Sequence, residues 1–217
     1  RSDPDGELSE GFKETGFLPA ALINFLAFLG WNPGTEREIF SLEELVDEFS
    51  EKRINKAGTK FDFDKAKWFN QQYILNTDSS YFVDELIQNF KEQHQIVCSQ
   101  NEALQIIDLL KERVTFPHEF VEEGLILFQQ PSSFDEKVVR KKWNEEAAKA
   151  LTIFADEILS HESVTAESAK TAFWETLESK GFKPGQFMQP LRLVLTGQGS
   201  GPDLMTIIEI LGSEKTS

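Results

Sequence analysis

The stretch NEEAAKALTIFADEILS (144–160) decides the fold class. Asn144 stands where a helix N-cap belongs, and Glu145 and Glu146 follow in the first turn, where carboxylates oppose the positive end of the helix dipole. Ala147, Leu151, Phe154, Ala155 and Ile158 recur at three- and four-residue spacing and draw one apolar stripe. The same signature repeats outward in both directions. LPAALINFLAFLG (18–30) reads as a helix with Pro19 in its first turn and Gly30 at its end; apolar almost all round, it is expected to be buried. SLEELVDEF (41–49) offers Ser41 as N-cap and Glu44 at the capping-box position. DFDKAKWFNQQYIL (62–75) starts another helix, and SSYFVDELIQNFKEQH (79–94) and SQNEALQIIDLLKERV (99–114) each open on serines placed as caps. TAESAKTAFWETLESKG (165–181) is capped by Thr165 and closed by Gly181. Almost nothing alternates with period two, so the chain is all-α. Residues 1–16 are polar and loop-like, and QQPSSF (129–134), around Pro131, reads as a linker.

Composition narrows the function classes. The chain has 217 residues, 19 of them phenylalanine, which can build real cores, and a formal net charge of -15. That charge argues against membrane surfaces and indiscriminate nucleic-acid binding, but a partner RNA depends on where the basic residues lie. They cluster. Lys52, Arg53, Lys56, Lys60, Lys65 and Lys67 fall close together, and Lys137, Arg140, Lys141 and Lys142 follow Pro131. Such islands are either phosphate contacts or solvated faces. A single cysteine, Cys98, allows no intramolecular disulfide framework and fits a reducing compartment; beside Ile96 and Val97 it is expected to be a buried, inert thiol. No apolar run approaches the length of a membrane span. The chain opens on Arg1 rather than Met, as an excised piece of something longer would.

No catalytic constellation emerges. His94, His118 and His161 are isolated, and neither HEFVE (118–122) nor HESVT (161–165) has the second His of a helical zinc site. The sequence holds no GxSxG elbow, no phosphate-cradling GxxxxGK[ST] loop and no GxGxxG fingerprint. One arginine stands out. In GQFMQPLRLVLTG (185–197), helical spacing puts Phe187, Leu191, Val194 and Leu195 on one side, and Gln189 and Arg192 roughly opposite. Arg192 is then either a solvated charge or a planar donor group able to read the edges of unstacked bases beside the Gly-rich loop that follows. Arg113 poses the same choice; a cation near a helix C-terminus needs no ligand.

Three separated patterns tip that choice. Leu18, Pro19, Ala21, Asn24, Leu26, Leu29, Gly30 and Trp31 form the first. The second is Phe63, Asp64, Lys67 (or Phe61, Asp62, Lys65), Trp68 and Asn70, and the third is Gln189, Pro190, Leu191, Arg192, Leu195, Thr196 and Gly197. In this order they resemble the region that follows the catalytic core in bacterial-type glutamyl-tRNA synthetases of class I, and the resemblance covers essentially the whole chain.

That resemblance implies a division of labour. Residues 1–77 would be a helical stem-contact region, residues 78–130 a first helical anticodon-binding subdomain, and residues 131–217 a second. Arg113 would read an anticodon base, and Gln189, Arg192, Pro202 and Leu204 would line the pocket for splayed ones. Lys52, Arg53, Lys56, Lys60, Arg140 and Lys141 would meet the tRNA backbone. Two positions depart from the family: Gly201 stands where a relative offers a hydroxyl, and Trp174 where one offers an arginine, although an indole there could stack on a base instead. The HIGH-type and KMSKS-type signatures that hold ATP are absent from this sequence. The parent enzyme would therefore be a glutamate–tRNA ligase needing ATP and Mg2+. This chain would bind neither cofactor nor metal, carry no catalytic residue and be inactive alone. Its expected partner is tRNA(Glu), with no DNA and no membrane, as a monomer in the cytoplasm. The competing expectation, from the acidic surface, is a non-catalytic helical scaffold for protein interaction.

Overall fold

A computed structural model describes residues 11–55, 60–161 and 163–216. Among them the only β pairing is one isolated bridge, Trp31 with Ile54, so the all-α expectation holds. The chain divides into two compact units. One comprises residues 1–86 and 111–120, the other 87–110 and 121–217.

The first unit is built on α1 (Pro19–Gly30), α2 (Leu42–Glu48) and α3 (Phe63–Asn76). Proline opens α1, and Ser41 and Glu44 close a complete capping box on α2. Helices α1 and α3 pack on each other around Phe17, Phe25, Ala66, Phe69 and Phe116. Their rings meet edge-on or tilted, as in Phe17–Phe116 at 5.1 Å and Phe25–Phe69 at 5.7 Å. Contrary to the sequence expectation, α1 is not buried all round: Ile23 and Leu26 are exposed, and the face toward α3 carries Ala21, Asn24 and Phe25. Its neighbours cover one side only, and the polar Asn24 is needed inside. Asn24 Oδ1 accepts from the Phe40 amide at 2.9 Å and the Tyr73 hydroxyl at 3.0 Å. Burial pushes the Tyr73 hydroxyl up to about 12, so it stays a neutral donor.

The entry to α4 (Val83–His94) also differs from expectation. A short 3-10 turn, Ser79–Phe82, precedes it, and Asp78 rather than a serine is the cap, accepting from the Ser80 amide at 2.9 Å. Asp, one residue earlier, supplies a stronger acceptor than the hydroxyls that follow. Ser99 does cap α5 (Gln100–Leu110), exchanging bonds with Glu102.

The second unit continues through α6 (Glu119–Gly124), most of which it contains, α7 (Glu136–Lys142), α8 (Glu145–Leu159), α9 (Ala166–Lys180), α10 (Pro184–Thr196) and α11 (Leu204–Thr216), the last broken at Gly212. Asn144 caps α8, Thr165 caps α9 and Gly181 ends it in the left-handed region at φ 67°, all as the sequence implies. The stripe on α8 is rotated from the sequence reading: Ala150 is buried where Leu151 and Ala155 are half-buried. Small residues on the inner faces (Ala147 and Ala150 on α8, Ala169 and Ala172 on α9) bring the helices close enough for Phe154, Phe173 and Phe187 to meet in one aromatic centre. Helix α11 packs on α8, α9 and α5, while α10 packs on α7 and α8. Val194 is the exception on α10. It is exposed, and Pro190 and Leu193 are buried instead, because α10 is covered from two sides rather than along one stripe.

Candidate functional site

Arg192 leaves the middle of α10 and is half-buried. Its Nη1 donates to the carbonyl of Pro202 at 2.8 Å, across the loop that joins α10 to α11. That loop is shaped for the contact. Gly197 ends α10 at φ 72°, its amide donating to the Leu193 carbonyl at 2.8 Å, and a Cβ on Gly201 would stand 2.8 Å from the same Nη1. Gly201 therefore makes room for the guanidinium. Asp203 then caps α11, accepting from the Thr206 amide at 2.9 Å. Arg192 and Leu204 border a cavity of about 680 Å³ whose other walls include Phe173, Trp174, Met188 and Met205. Lys170, Glu167 and Asp203 add polar groups to it.

Of the residues singled out by sequence, Arg192 and Leu204 thus share one cavity. Pro202 is buried behind it and contributes its carbonyl; Gln189, half-buried one turn earlier on α10, lies outside the lining. Sequence reasoning missed Lys170, Met188 and Met205. Projecting α9 onto a helical wheel would have shown Glu167, Lys170 and Trp174 on one face, three and four residues apart.

Arg113 belongs to the first unit, in a turn past the end of α5. Its side chain is exposed, but its backbone surroundings are tied down from α3. Asn70 Nδ2 donates to the Thr115 carbonyl at 2.6 Å, Gln71 Nε2 donates to the Glu112 carbonyl at 3.2 Å, and the Lys111 ammonium donates to the Thr77 carbonyl. Glu119 closes the far side, accepting from the amides of Thr115 and Phe116. An exposed cation on a pinned turn can present its guanidinium without first ordering its backbone.

The basic islands are unevenly engaged. Lys52 and Lys60 are exposed, and Lys56 lies outside the described residues. Arg53 donates to the Pro33 carbonyl and stands 3.8 Å from Glu48. Lys65 is held by Glu38 at 2.8 Å and sits over the Trp68 ring at 4.1 Å. In the second unit Lys141 is exposed, and Arg140 pairs with Glu136 at 2.9 Å on an open surface, where such a pair is weak and easily exchanged for a phosphate.

A second cavity, about 580 Å³, lies between the linker and the loop after α10, lined by Gln129, Gln130, Ser132, Ser133, Gln198 and Ser200 among others. Cys98 is a buried free thiol, as expected, and burial pushes it up to about 11. Among the described residues no group of three or more His, Cys, Asp or Glu could hold a metal ion, and no helix is long and apolar enough to cross a membrane.

Residues 81–217 match the family described as anticodon binding domain. The chain belongs to that family. Residues 6–68 match a second description, the catalytic domain of class I tRNA synthetases (E and Q), a match that lies inside the segment 1–77 expected to contact the stem. Among relatives, the glutamate–tRNA ligase of Cytophaga hutchinsonii is 43% identical over 215 residues, covering 98% of this chain and 41% of that protein. The glutamate–tRNA ligase of Porphyromonas gingivalis is 40% identical, covering 99% and 42%. A glutamate tRNA ligase from Elizabethkingia meningosepticum, solved in complex with its amino acid, superposes with a TM-score of 0.90 at 38% identity, covering all of this chain and 43% of that one. The chain therefore spans about two fifths of the length of the ligases it matches.

Proposed function

We propose that this chain is the tRNA-recognition region of a glutamate–tRNA ligase. Residues 1–77 contact the inner stem of the tRNA, and the segments 78–130 and 131–217 receive the anticodon. The observation that carries this reading is Arg192: an arginine braced on the Pro202 carbonyl at the edge of a cavity, within a family that binds anticodons. The bond at Nη1 limits the motion of a planar group whose N–H donors suit a base edge. Leu204 lines the same cavity, Pro202 braces the guanidinium, Gln189 on the preceding turn of α10 meets an anticodon base beside it, and Arg113 reads a further base from its pinned turn. Lys52, Arg53, Lys56, Lys60, Arg140 and Lys141 hold phosphates, which sets register without reading sequence. The longer enzyme joins glutamate to tRNA(Glu) using ATP and Mg2+, as a cytoplasmic monomer. This chain supplies no group to that chemistry; it delivers the acceptor end to a catalytic centre elsewhere.

The test is a titration of the chain with glutamate and glutamine tRNAs at two salt concentrations. Affinity for the glutamate tRNA should be higher and should fall steeply with salt, with a log–log slope near one per phosphate-contacting cation. Arg192→Ala should weaken binding by about 1–3 kcal/mol and blur the preference among anticodon variants, as loss of a base-edge contact does. A salt-independent affinity, or none at low salt, would refute the reading.

A further inference from the structure

Trp174 has no part in the reading above, yet it occupies a wall of the same cavity. Its neighbour Phe173 is buried in the aromatic centre, and the two rings meet edge to face at 5.5 Å and 89°. That contact carries the indole on the rim of the core, where it remains 43% exposed. Leaving so large an apolar ring half in water forgoes part of its hydrophobic stabilisation. The cavity beside it combines this flat ring with apolar lining from Met188, Leu204 and Met205, and with the guanidinium of Arg192. At about 680 Å³ it is in the range that takes a planar heterocycle.

We propose that Trp174 is a stacking platform, taking the face of one unstacked anticodon base whose edge Arg192 meets. The proposal rests on the tRNA reading and deepens it by separating two kinds of contact at one base. A ring face carries no net charge and every base has one, so the Trp174 contribution is independent of salt and tolerant of base identity. Arg192 behaves oppositely on both counts.

The experiment compares the wild-type chain with Trp174→Leu and Trp174→Phe, using a glutamate-tRNA transcript and three transcripts that each lack one anticodon base. Trp174→Leu keeps apolar bulk over Phe173 but removes the face; Trp174→Phe keeps a face. Trp174→Leu should weaken binding between about fivefold and about a hundredfold, by the same factor at both salt concentrations, and Trp174→Phe should restore most of the loss. Against one of the three abasic transcripts the penalty should vanish, because the base that stacked is already gone. A Trp174→Leu chain that binds as wild type does, a penalty that changes with salt, or one that persists against all three abasic transcripts would each overturn the stacking role. Failure of the wild-type chain to bind any transcript would instead overturn the tRNA reading, and the stacking role with it.

Discussion

Gly197→Ala tests the architecture that carries Arg192. Gly197 ends α10 at φ 72°, and a Cβ built there lies 2.4 Å from the carbonyl oxygen of Ser133 and 3.0 Å from Cβ of Pro131. Two penalties therefore combine. A left-handed conformation costs an L-residue roughly 1–2 kcal/mol. Forcing a methyl into occupied space adds about 1–3 kcal/mol. The obstruction is backbone, so relief requires moving Ser133, which pulls on the bond from the Asp135 amide to the Gly197 carbonyl at 2.8 Å. Together the penalties come to about 2–5 kcal/mol, a large share of the stability of an ordinary domain. Gly181→Ala is the natural comparison: φ there is 67°, but no atom lies within 4 Å of the added Cβ, so only the conformational penalty applies. Hydrogen exchange read by mass spectrometry separates the units, with α8–α10 peptides reporting the damage and α1 and α3 peptides serving as an internal control. Gly197→Ala should speed exchange in α8–α10 more than Gly181→Ala does, leaving α1 and α3 unchanged. Equal effects from the two alanines would refute the claim that the linker backbone and the loop are locked through this glycine.

Asn70→Ala should lower the stability of the first unit by about 1–3 kcal/mol in urea unfolding, because two half-buried backbone partners, the Leu18 amide and the Thr115 carbonyl, lose a hydrogen bond at ~0.5–1.5 kcal/mol each; retention of the wild-type midpoint would show that water replaces them. Arg113→Gln should relax the choice between glutamate and glutamine tRNAs in competition binding, and an unchanged preference would remove Arg113 from the reading set. Cys98, pushed up to about 11 and buried, should resist alkylation at pH 8, where only about one thiol in a thousand is ionised, and react promptly once the chain is unfolded in urea. Fast labelling of the native chain would contradict its burial.

How much of this was legible in the sequence follows from the range of the interactions. Caps are local, so Ser41, Asn144, Thr165 and Gly181 could be read from a few residues each, and the structure has them in those roles. Which face of a helix is buried depends on how many neighbours cover it. The period alone therefore misplaced Val194, and it did not foresee that Ile23 and Leu26 stay exposed on α1. The cavity is less local still. Arg192 and Leu204 sit on successive helices and could be paired from the loop between them, whereas Lys170 joins them only because α9 packs on α11. The support for Arg113 comes from Asn70 and Gln71, more than forty residues away, and no motif announces it.

On the proposed reading, these bonds would let recognition reside in few side chains. A free arginine has roughly 2 kcal/mol of rotamer entropy to lose when it is fixed against a ligand. The bond from Arg192 Nη1 to the Pro202 carbonyl removes part of that freedom in the unliganded chain, and Gly201 permits it by leaving the space empty. The turn of Arg113 is restrained in its backbone instead, by Asn70, Gln71 and Lys111. In both places part of the ordering cost is met by folding, so that, if these arginines read bases as proposed, more of the contact energy would be left to distinguish one base from another. A side chain on Gly201 would press on Nη1 from 2.8 Å, so Gly201→Ala should shift the guanidinium off the Pro202 carbonyl and, on the proposed reading, weaken tRNA binding.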